Sequence, residues 1–301
     1  MKIKMNLEPV LRCLPQNVAA AAAKYEVEEI RILADKPVII YISGEGFFVN
    51  NMGDITSVQN NGVIITKSML NEIFRIICDN SIYAVEDEIR CGYITIQGGH
   101  RVGICGTAVI KSGQISTIKN ISALNIRVAK QAIGTAKEII PIVMDKIVRN
   151  TLIVSPPGCG KTTMLRDIAR ILGFTYRVGI ADERSEIAAV YQGIPQNDIG
   201  VRSVVMDACP KDVAINMLIR SMGVEVILTD EIGSMADVEA IKSALNAGVK
   251  IIASAHGYSH KDIIKKPYIK DLIGEYGFEK VITLSRKYGV GTVEEVVEFD
   301  I

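Results

Sequence analysis

The chain of 301 residues has no tryptophan, and only 5% of it is aromatic. Stacking platforms of the kind that bind single-stranded nucleic acid are therefore scarce. The core must come from Ile, Val, Leu and Ala, as suits an α/β enzyme. An excess of charge is missing too, because Lys+Arg and Asp+Glu are both 34. Nucleic-acid binders usually carry a basic footprint, so no nucleic-acid partner is expected. The longest apolar runs, such as residues 19–23, fall far short of the ~20 residues that cross a bilayer. No transmembrane segment is expected, and with no apolar stretch after Lys2 and Lys4, no signal peptide either. The six cysteines (Cys13, Cys78, Cys91, Cys105, Cys159 and Cys209) include no C-x-x-C pair. That distribution fits reduced thiols in a cytosolic protein better than a disulfide framework or zinc site. Repeats and low-complexity segments are absent, and the length suffices for two domains with separate cores.

What is present centres on residues 152–163, L-I-V-S-P-P-G-C-G-K-T-T. An apolar strand stops at a Pro/Gly turn, and a helix opens at a lysine followed by two threonines. This is the layout of a Walker A phosphate loop. Gly158 and Gly160 lack a Cβ, so the backbone can curl its N–H groups towards an anion, and the helix start adds the positive end of its dipole. Lys161 is placed to reach the β- and γ-phosphates of ATP, and the Thr162 hydroxyl to ligate Mg²⁺. The candidate nucleotide-binding residues are Ser155, Pro156, Pro157, Gly158, Cys159, Gly160, Lys161, Thr162 and Thr163. Ser155 stands where the G-x-x-x-x-G-K-[ST] pattern has its first glycine. Modification of Cys159, inside the loop, is expected to block nucleotide. The alternative is an ordinary strand–turn–helix joint, which rarely combines Gly-Lys-Thr-Thr with these flanks.

The first half reads as α+β. Residues 7–24 are helical but interrupted at Pro15. Residues 29–33 and 38–42 read as strands joined by an A-D-K-P turn. Leu70, Ile73, Phe74 and Ile77 have the 3–4 spacing of a helix over 67–78. Residues 81–90 are compatible with a second helix. Strands are predicted at 92–97, 101–110 and 125–129, the first two joined at Gly98-Gly99. Residues 139–148 read as a joining helix or linker, which puts the boundary near 140: an N-terminal domain over 1–140 and a second domain over 141–301. The second domain alternates strands (151–154, 176–181, 224–229, 250–255) with helices (161–171, 211–222, 235–247), the signature of a parallel α/β sheet. The tail, 281–285 and 292–299, reads as an antiparallel pair.

Two strand ends carry carboxylates. V-E-V-I-L-T-D-E (224–231) delivers Asp230, suited to the Mg²⁺ shell as a Walker B aspartate, and Glu231, placed to polarise water. On its own it could be a strand ending in a solvated acidic turn. I-A-D-E-R-S-E (180–186) offers Asp182, Glu183 and Glu186 either as caps of a following helix or as a general base. His256 ends I-I-A-S-A-H, as a polar strand cap or a γ-phosphate sensor. An added guanidinium contributes roughly 10³ to 10⁵ in phosphoryl-transfer rate, and Arg184, Arg202 and Arg220 are candidates. Arg166 and Arg170, four apart on the loop helix, are expected to face solvent or the neighbouring domain. The four lysines of 261–270 read as a solvated face.

The order P-loop, D-E-R-S-E, V-I-L-T-D-E, A-S-A-H resembles the type II/IV secretion ATPases, hexameric motors of pili and secretion systems. There these segments are the Walker A, Asp box, Walker B and His box. E-I-R-I-L (29–33), G-Y-I-T-I-Q-G-G-H-R-V-G (92–103) and L-N-I-R-V-A (124–129) extend the resemblance over nearly the whole chain, to a sporulation member of that family. The resemblance implies a RecA-like P-loop ATPase domain with a mainly parallel sheet, preceded by a smaller α+β N-terminal domain. It implies ATP and Mg²⁺ as ligands, and Lys161, Glu186, Glu231 and His256 as catalytic residues. Glu186 matches the Asp-box glutamate used as base, and Arg101 and Arg127 match arginines reaching the nucleotide from the N-terminal domain. It further implies a homo-hexamer at the cytoplasmic, mother-cell face of a membrane. Its partners would be integral-membrane components of a channel between mother cell and forespore. Asp230 stands where secretion ATPases commonly have glycine, which leaves the division of labour between Glu186 and Glu231 open. Alternative functions are a nucleic-acid-dependent RecA-like ATPase and a nucleotide-gated scaffold with little turnover.

Overall fold

The computed structural model describes residues 2–111, 113–273 and 277–299. The chain divides into two compact units: Met5–Lys130 form one, and the chain from Gln131 onward, with the first four residues, forms the other. This division falls earlier than the expected boundary near residue 140. The cause is a tether that no local composition signals. Strand Gln131–Ile133 pairs antiparallel with Lys2–Lys4. The Gln131 amide also donates to the Asp198 carbonyl (2.8 Å) and accepts from the Asp198 N–H (3.0 Å). The expected joining helix is a single turn, Ile140–Val143, followed by a small hairpin of Met144–Asp145 and Ile147–Val148.

The N-terminal unit is a seven-stranded antiparallel sheet in the order Ile55–Thr56, Glu45–Val49, Ile39–Ile42, Glu29–Leu33, Gln114–Arg127, His100–Lys111, Tyr93–Ile96. Alternate residues such as Ile30, Ile32, Ile94, Ile96, Val102, Ile104, Leu124 and Ile126 are buried together, the period-2 pattern of a one-sided sheet. Helix Lys67–Ile77 joins that core through the predicted stripe of Leu70, Ile73, Phe74 and Ile77. Burial of each such side chain is worth about 1.5–3 kcal/mol. The Thr66 hydroxyl starts this helix by accepting the Met69 N–H. Residues 81–90 form a 3₁₀ turn, Ile82–Val85, and a short helix, Glu86–Arg90, broken at Val85. The hairpin of His100–Lys111 and Gln114–Arg127 runs well beyond its predicted extent. Its outer part is mostly exposed, so backbone pairing maintains it without the apolar alternation that a sequence reveals.

The C-terminal unit is a seven-stranded sheet ordered Ser203–Asp207, Val178–Asp182, Val226–Thr229, Lys250–His256, Thr151–Ser155, Lys280–Ser285, Thr292–Glu298. All neighbours are parallel except the final pair. Every residue of Thr151–Ser155, Val178–Asp182 and Val226–Thr229 is buried, as in a parallel sheet covered on both faces. Alternation assigns the layers. Ile153, Leu228 and Ile252 pack with Met164, Leu165 and Ile168 of helix Lys161–Leu172. Leu152, Ile227 and Ile251 pack with helices Lys211–Ser221 and Met235–Asn246. The result is a three-layer α/β/α unit. The edge strand Ser203–Asp207 was not predicted; its apolar run is only Val204–Met206, and all five residues are half-buried. Among the described residues, no helix is long and apolar enough to cross a membrane.

Candidate active site

Parallel register brings the strand ends together. Ser155 is level with His256, Thr229 with Ala253, Ala181 with Thr229, and Asp182 with Asp207. The loop, both acidic segments and His256 therefore share the carboxyl edge of the sheet, where open α/β sheets bind ligands. Strand Lys250–His256 lies between strands Thr151–Ser155 and Val226–Thr229, so His256 stands between their terminal groups.

The loop runs from the buried strand Thr151–Ser155 into helix Lys161–Leu172. Gly158 (φ 73°) and Gly160 (φ 89°) are both left-handed, a conformation that disfavours any residue with a Cβ. Two side chains also lie close to these glycines. A Cβ on Gly158 would lie 2.6 Å from Arg286 Nη2, and one on Gly160 2.9 Å from Val290 Cγ1. Ser155, at the first glycine position of the motif, uses its side chain: the hydroxyl donates to the Pro156 carbonyl (2.8 Å) and receives Lys161 Nζ (3.2 Å). Lys161 Nζ also lies within hydrogen-bond reach of the carbonyls of Ser155 (2.8 Å) and Pro156 (3.2 Å) and of His256 Nδ1 (3.1 Å), so its three N–H groups are shared among four acceptors. Burial pushes the Lys161 ammonium below its usual pKa, and the Glu231 charge opposes that shift. Cys159 is buried within the loop.

A cavity of about 380 Å³ opens over the loop, lined by Pro157, Gly158, Gly160, Lys161, Thr162 and Thr163. Arg184, Glu186, Asp230, Glu231, Ser254 and His256 complete its polar wall. Its size lies within the ~300–1,000 Å³ of ordinary ligand sites. Glu231 Oε2 is 3.2 Å from His256 Nε2 and 3.8 Å from Arg184 Nη1.

Asp182 does not cap a helix, nor does it line the cavity. It is fully buried and accepts the N–H groups of Glu186 (2.9 Å), Ile187 (3.0 Å) and Ala188 (2.8 Å), bending the segment around its carboxylate. Arg166 grips the same segment by its carbonyls, Ile187 O at 2.7 Å and Glu186 O at 2.5 Å. Arg166, expected to face solvent or the neighbouring domain, instead sets the backbone that carries Glu186. Arg170 is likewise turned inward, 2.7 Å from buried Asp167. Of the other candidate arginines, Arg202 donates to the Thr175 carbonyl and Arg220 is exposed on helix Lys211–Ser221.

Sequence reasoning missed Lys211. It is buried at the start of helix Lys211–Ser221, and its Nζ donates to the Glu231 carbonyl at 2.9 Å. It also pairs with Glu183 (3.1 Å) and Asp230 (3.5 Å). A signal existed, because a lysine in a first helical turn opposes the dipole unless carboxylates hold it. Burial pushes the Asp230 carboxyl up to about 6, against the lowering pull of Lys211. Among the described residues, buried Asp230 Oδ1 accepts no hydrogen bond and has the Lys211 ammonium 3.5 Å away only as an ion-pair partner. A buried carboxylate oxygen of this kind, with Thr162 in the same cavity, fits Mg²⁺, which prefers oxygen and takes one or two carboxylates plus substrate phosphates. No group of three or more His, Cys, Asp or Glu among the described residues is arranged to hold a metal alone.

Arg101 and Arg127 lie in the N-terminal unit, directly opposite one another in register on neighbouring strands. The Arg101 guanidinium stacks 4.4 Å over the Tyr93 ring, and Arg127 Nε is 3.7 Å from Glu29.

The fold matches that of the pilus retraction motor PilT with bound ADP, with a TM-score of 0.59 and 15% identity, covering 89% of this chain and 76% of that one. It also matches the Legionella pneumophila ATPase DotB, with a TM-score of 0.54 and 15% identity, covering 88% and 73%. Fold and loop define the class: a RecA-like P-loop protein with the architecture of the secretion ATPases. Residues 3–299 match the family described as sporulation stage III, protein AA, and the chain belongs to that family. Stage III sporulation protein AA of Bacillus subtilis (strain 168) is 37% identical over 306 residues, 98% of this chain and 96% of that relative.

Proposed function

We propose that the protein is an Mg²⁺-dependent ATPase motor serving a sporulation assembly. The observation that carries this reading is the convergence of Lys161, Glu186, Asp230, Glu231 and His256 on one cavity beside the phosphate loop. Hydrolysis of a phosphoric anhydride needs an anion cradle, a carboxylate to orient water and cations for the developing charge. The loop N–H groups and Lys161 serve the first need, and Glu186, with Glu231 beside it, the second. Arg184 serves the third within the unit, joined by Arg101 and Arg127 by resemblance to the secretion ATPases. Thr162 and Asp230 would hold Mg²⁺, which neutralises charge on the phosphate oxygens when bound. By the same resemblance the chain works as a homo-hexamer, peripheral to the cytoplasmic face of a membrane. There it drives integral-membrane components of a channel between mother cell and forespore. The functional division is an arginine-donating N-terminal domain and a nucleotide-hydrolysing C-terminal domain.

The test is phosphate release from ATP by wild type and Lys161→Ala. Wild type should hydrolyse ATP only with Mg²⁺ present, and the variant should have no measurable turnover. Equal turnover in both would overturn the reading.

A further inference from the structure

Strand Lys280–Ser285 pairs in parallel with the phosphate-loop strand, so its end arrives at the same sheet edge as the loop. The chain then turns through residues 286–291 and returns antiparallel as Thr292–Glu298. That turn is internally bonded. The Gly289 N–H donates to the Arg286 carbonyl (3.2 Å), the Thr292 hydroxyl to the Gly289 carbonyl (2.7 Å), and the Lys287 N–H to the Ser285 hydroxyl (3.1 Å). From this frame two side chains reach the Walker A glycines. Arg286 places Nε (2.9 Å) and Nη2 (2.6 Å) on the Gly158 carbonyl. Val290 lies against Gly160 and lines the cavity.

The Arg286 contact fixes more than one oxygen. In a trans peptide the carbonyl and the following N–H point in opposite directions. Holding the Gly158 carbonyl towards Arg286 therefore turns the Cys159 N–H away from it. Gly158, left-handed at φ 73°, precedes that peptide and gives it freedom to rotate, and successive N–H groups must converge to form an anion-binding concavity. Two guanidinium N–H groups on one carbonyl oxygen restrain its position more firmly than a single donor would. We propose that Arg286 is a positioning residue of the nucleotide site, setting the Gly158–Cys159 peptide for phosphate and linking the C-terminal hairpin to nucleotide affinity. The inference rests on the loop being a nucleotide site.

The experiment compares wild type with Arg286→Ala, Arg286→Lys and Lys287→Ala. It measures ADP affinity by titration, KM and kcat for ATP by phosphate release, and the thermal midpoint without nucleotide. Loss of a charged hydrogen-bond pair predicts that Arg286→Ala raises the ADP Kd and the ATP KM about tenfold. The value of kcat should be retained. Arg286→Lys should fall between, because the charge stays and the fork is lost, and Lys287→Ala should match wild type. The nucleotide-free midpoint of Arg286→Ala should equal that of wild type, since the side chain is exposed. Unchanged Kd and KM in Arg286→Ala would overturn the inference alone. So would a nucleotide-free midpoint lowered in step with the affinity, which would mark a merely structural role. Wild type that binds no ADP would overturn the nucleotide reading, and this inference with it.

Discussion

Nδ1 of His256 lies 3.1 Å from the ammonium of Lys161. An ammonium only donates, so Nδ1 accepts and the ring proton sits on Nε2, facing Glu231 Oε2 at 3.2 Å. The imidazole thus links Lys161 to Glu231, and their positions depend on one another.

Replacing His256 with Ala should break this link without emptying the phosphate cradle. Phosphate release is expected to fall by about 10², the scale for removing one preorganised polar group, while ADP affinity is retained. Stopped-flow phosphate release and equilibrium ADP titration separate the two. A matching loss of affinity would make His256 a binding group instead.

The two glutamates should part company on conversion to Gln. Glu231 Oε2 is already engaged by His256, whereas Glu186 lines the cavity on a backbone gripped by Asp182 and Arg166. Glu186→Gln should therefore be the variant that holds ATP unhydrolysed, with turnover lowered by roughly 10² to 10⁴. Filter-binding of labelled ATP after an hour's incubation reads this directly. Retention by Glu231→Gln in its place would reverse the assignment.

Lys211→Met should destabilise the C-terminal unit by about 3 kcal/mol, the lower end for breaking a buried ion pair. It strands the Asp230 carboxylate and the Glu231 carbonyl. Urea unfolding should show the loss, and the double variant with Asp230→Asn should recover part of it. Additive losses in the two single variants would mean that the pair is not coupled.

His100 gives the N-terminal unit a pH dependence. The ring is fully buried, with Nε2 2.6 Å from the Asn6 carbonyl and Nδ1 accepting the Ala129 N–H at 3.0 Å. Burial holds its pKa below the ordinary 6.5. The unfolded chain therefore protonates first as pH falls. The stabilisation is complete above the unfolded value and is lost as pH drops through the folded one. Urea midpoints should decline as pH falls through the ordinary histidine value of 6.5 and below it, and His100→Gln should flatten that slope. Identical slopes would exclude His100 as the source.

Much of this molecule is legible locally. The apolar run before the loop, the glycines and lysine within it, and carboxylates after buried strands are all written in neighbouring residues. The Leu70, Ile73, Phe74, Ile77 stripe is equally plain, because helical periodicity repeats within two turns. Elements that lean on distant partners were hidden. The outer part of strand Gln114–Arg127 carries little apolar pattern, strand Ser203–Asp207 has only the short run Val204–Met206, and pairing defines the extent of both. Arg166 shows the same limit at the site. Its place on the loop helix was clear, but its grip on Glu186 and Ile187 depends on how a separate strand end folds back.

By itself, then, the sequence determined which segments form buried strands, where the phosphate loop bends, and which strand ends carry acid, since these follow from backbone preference and hydrophobic period. Tertiary structure alone decided that the Lys250–His256 strand lies between strands Thr151–Ser155 and Val226–Thr229, which puts His256 between Lys161 and Glu231. It also decided that Lys211 lies against Asp230 and Glu231 and that Arg286 reaches the Gly158 carbonyl. The physical reason is that strand order and register come from packing summed over the whole sheet. No stretch of neighbouring residues contains that sum.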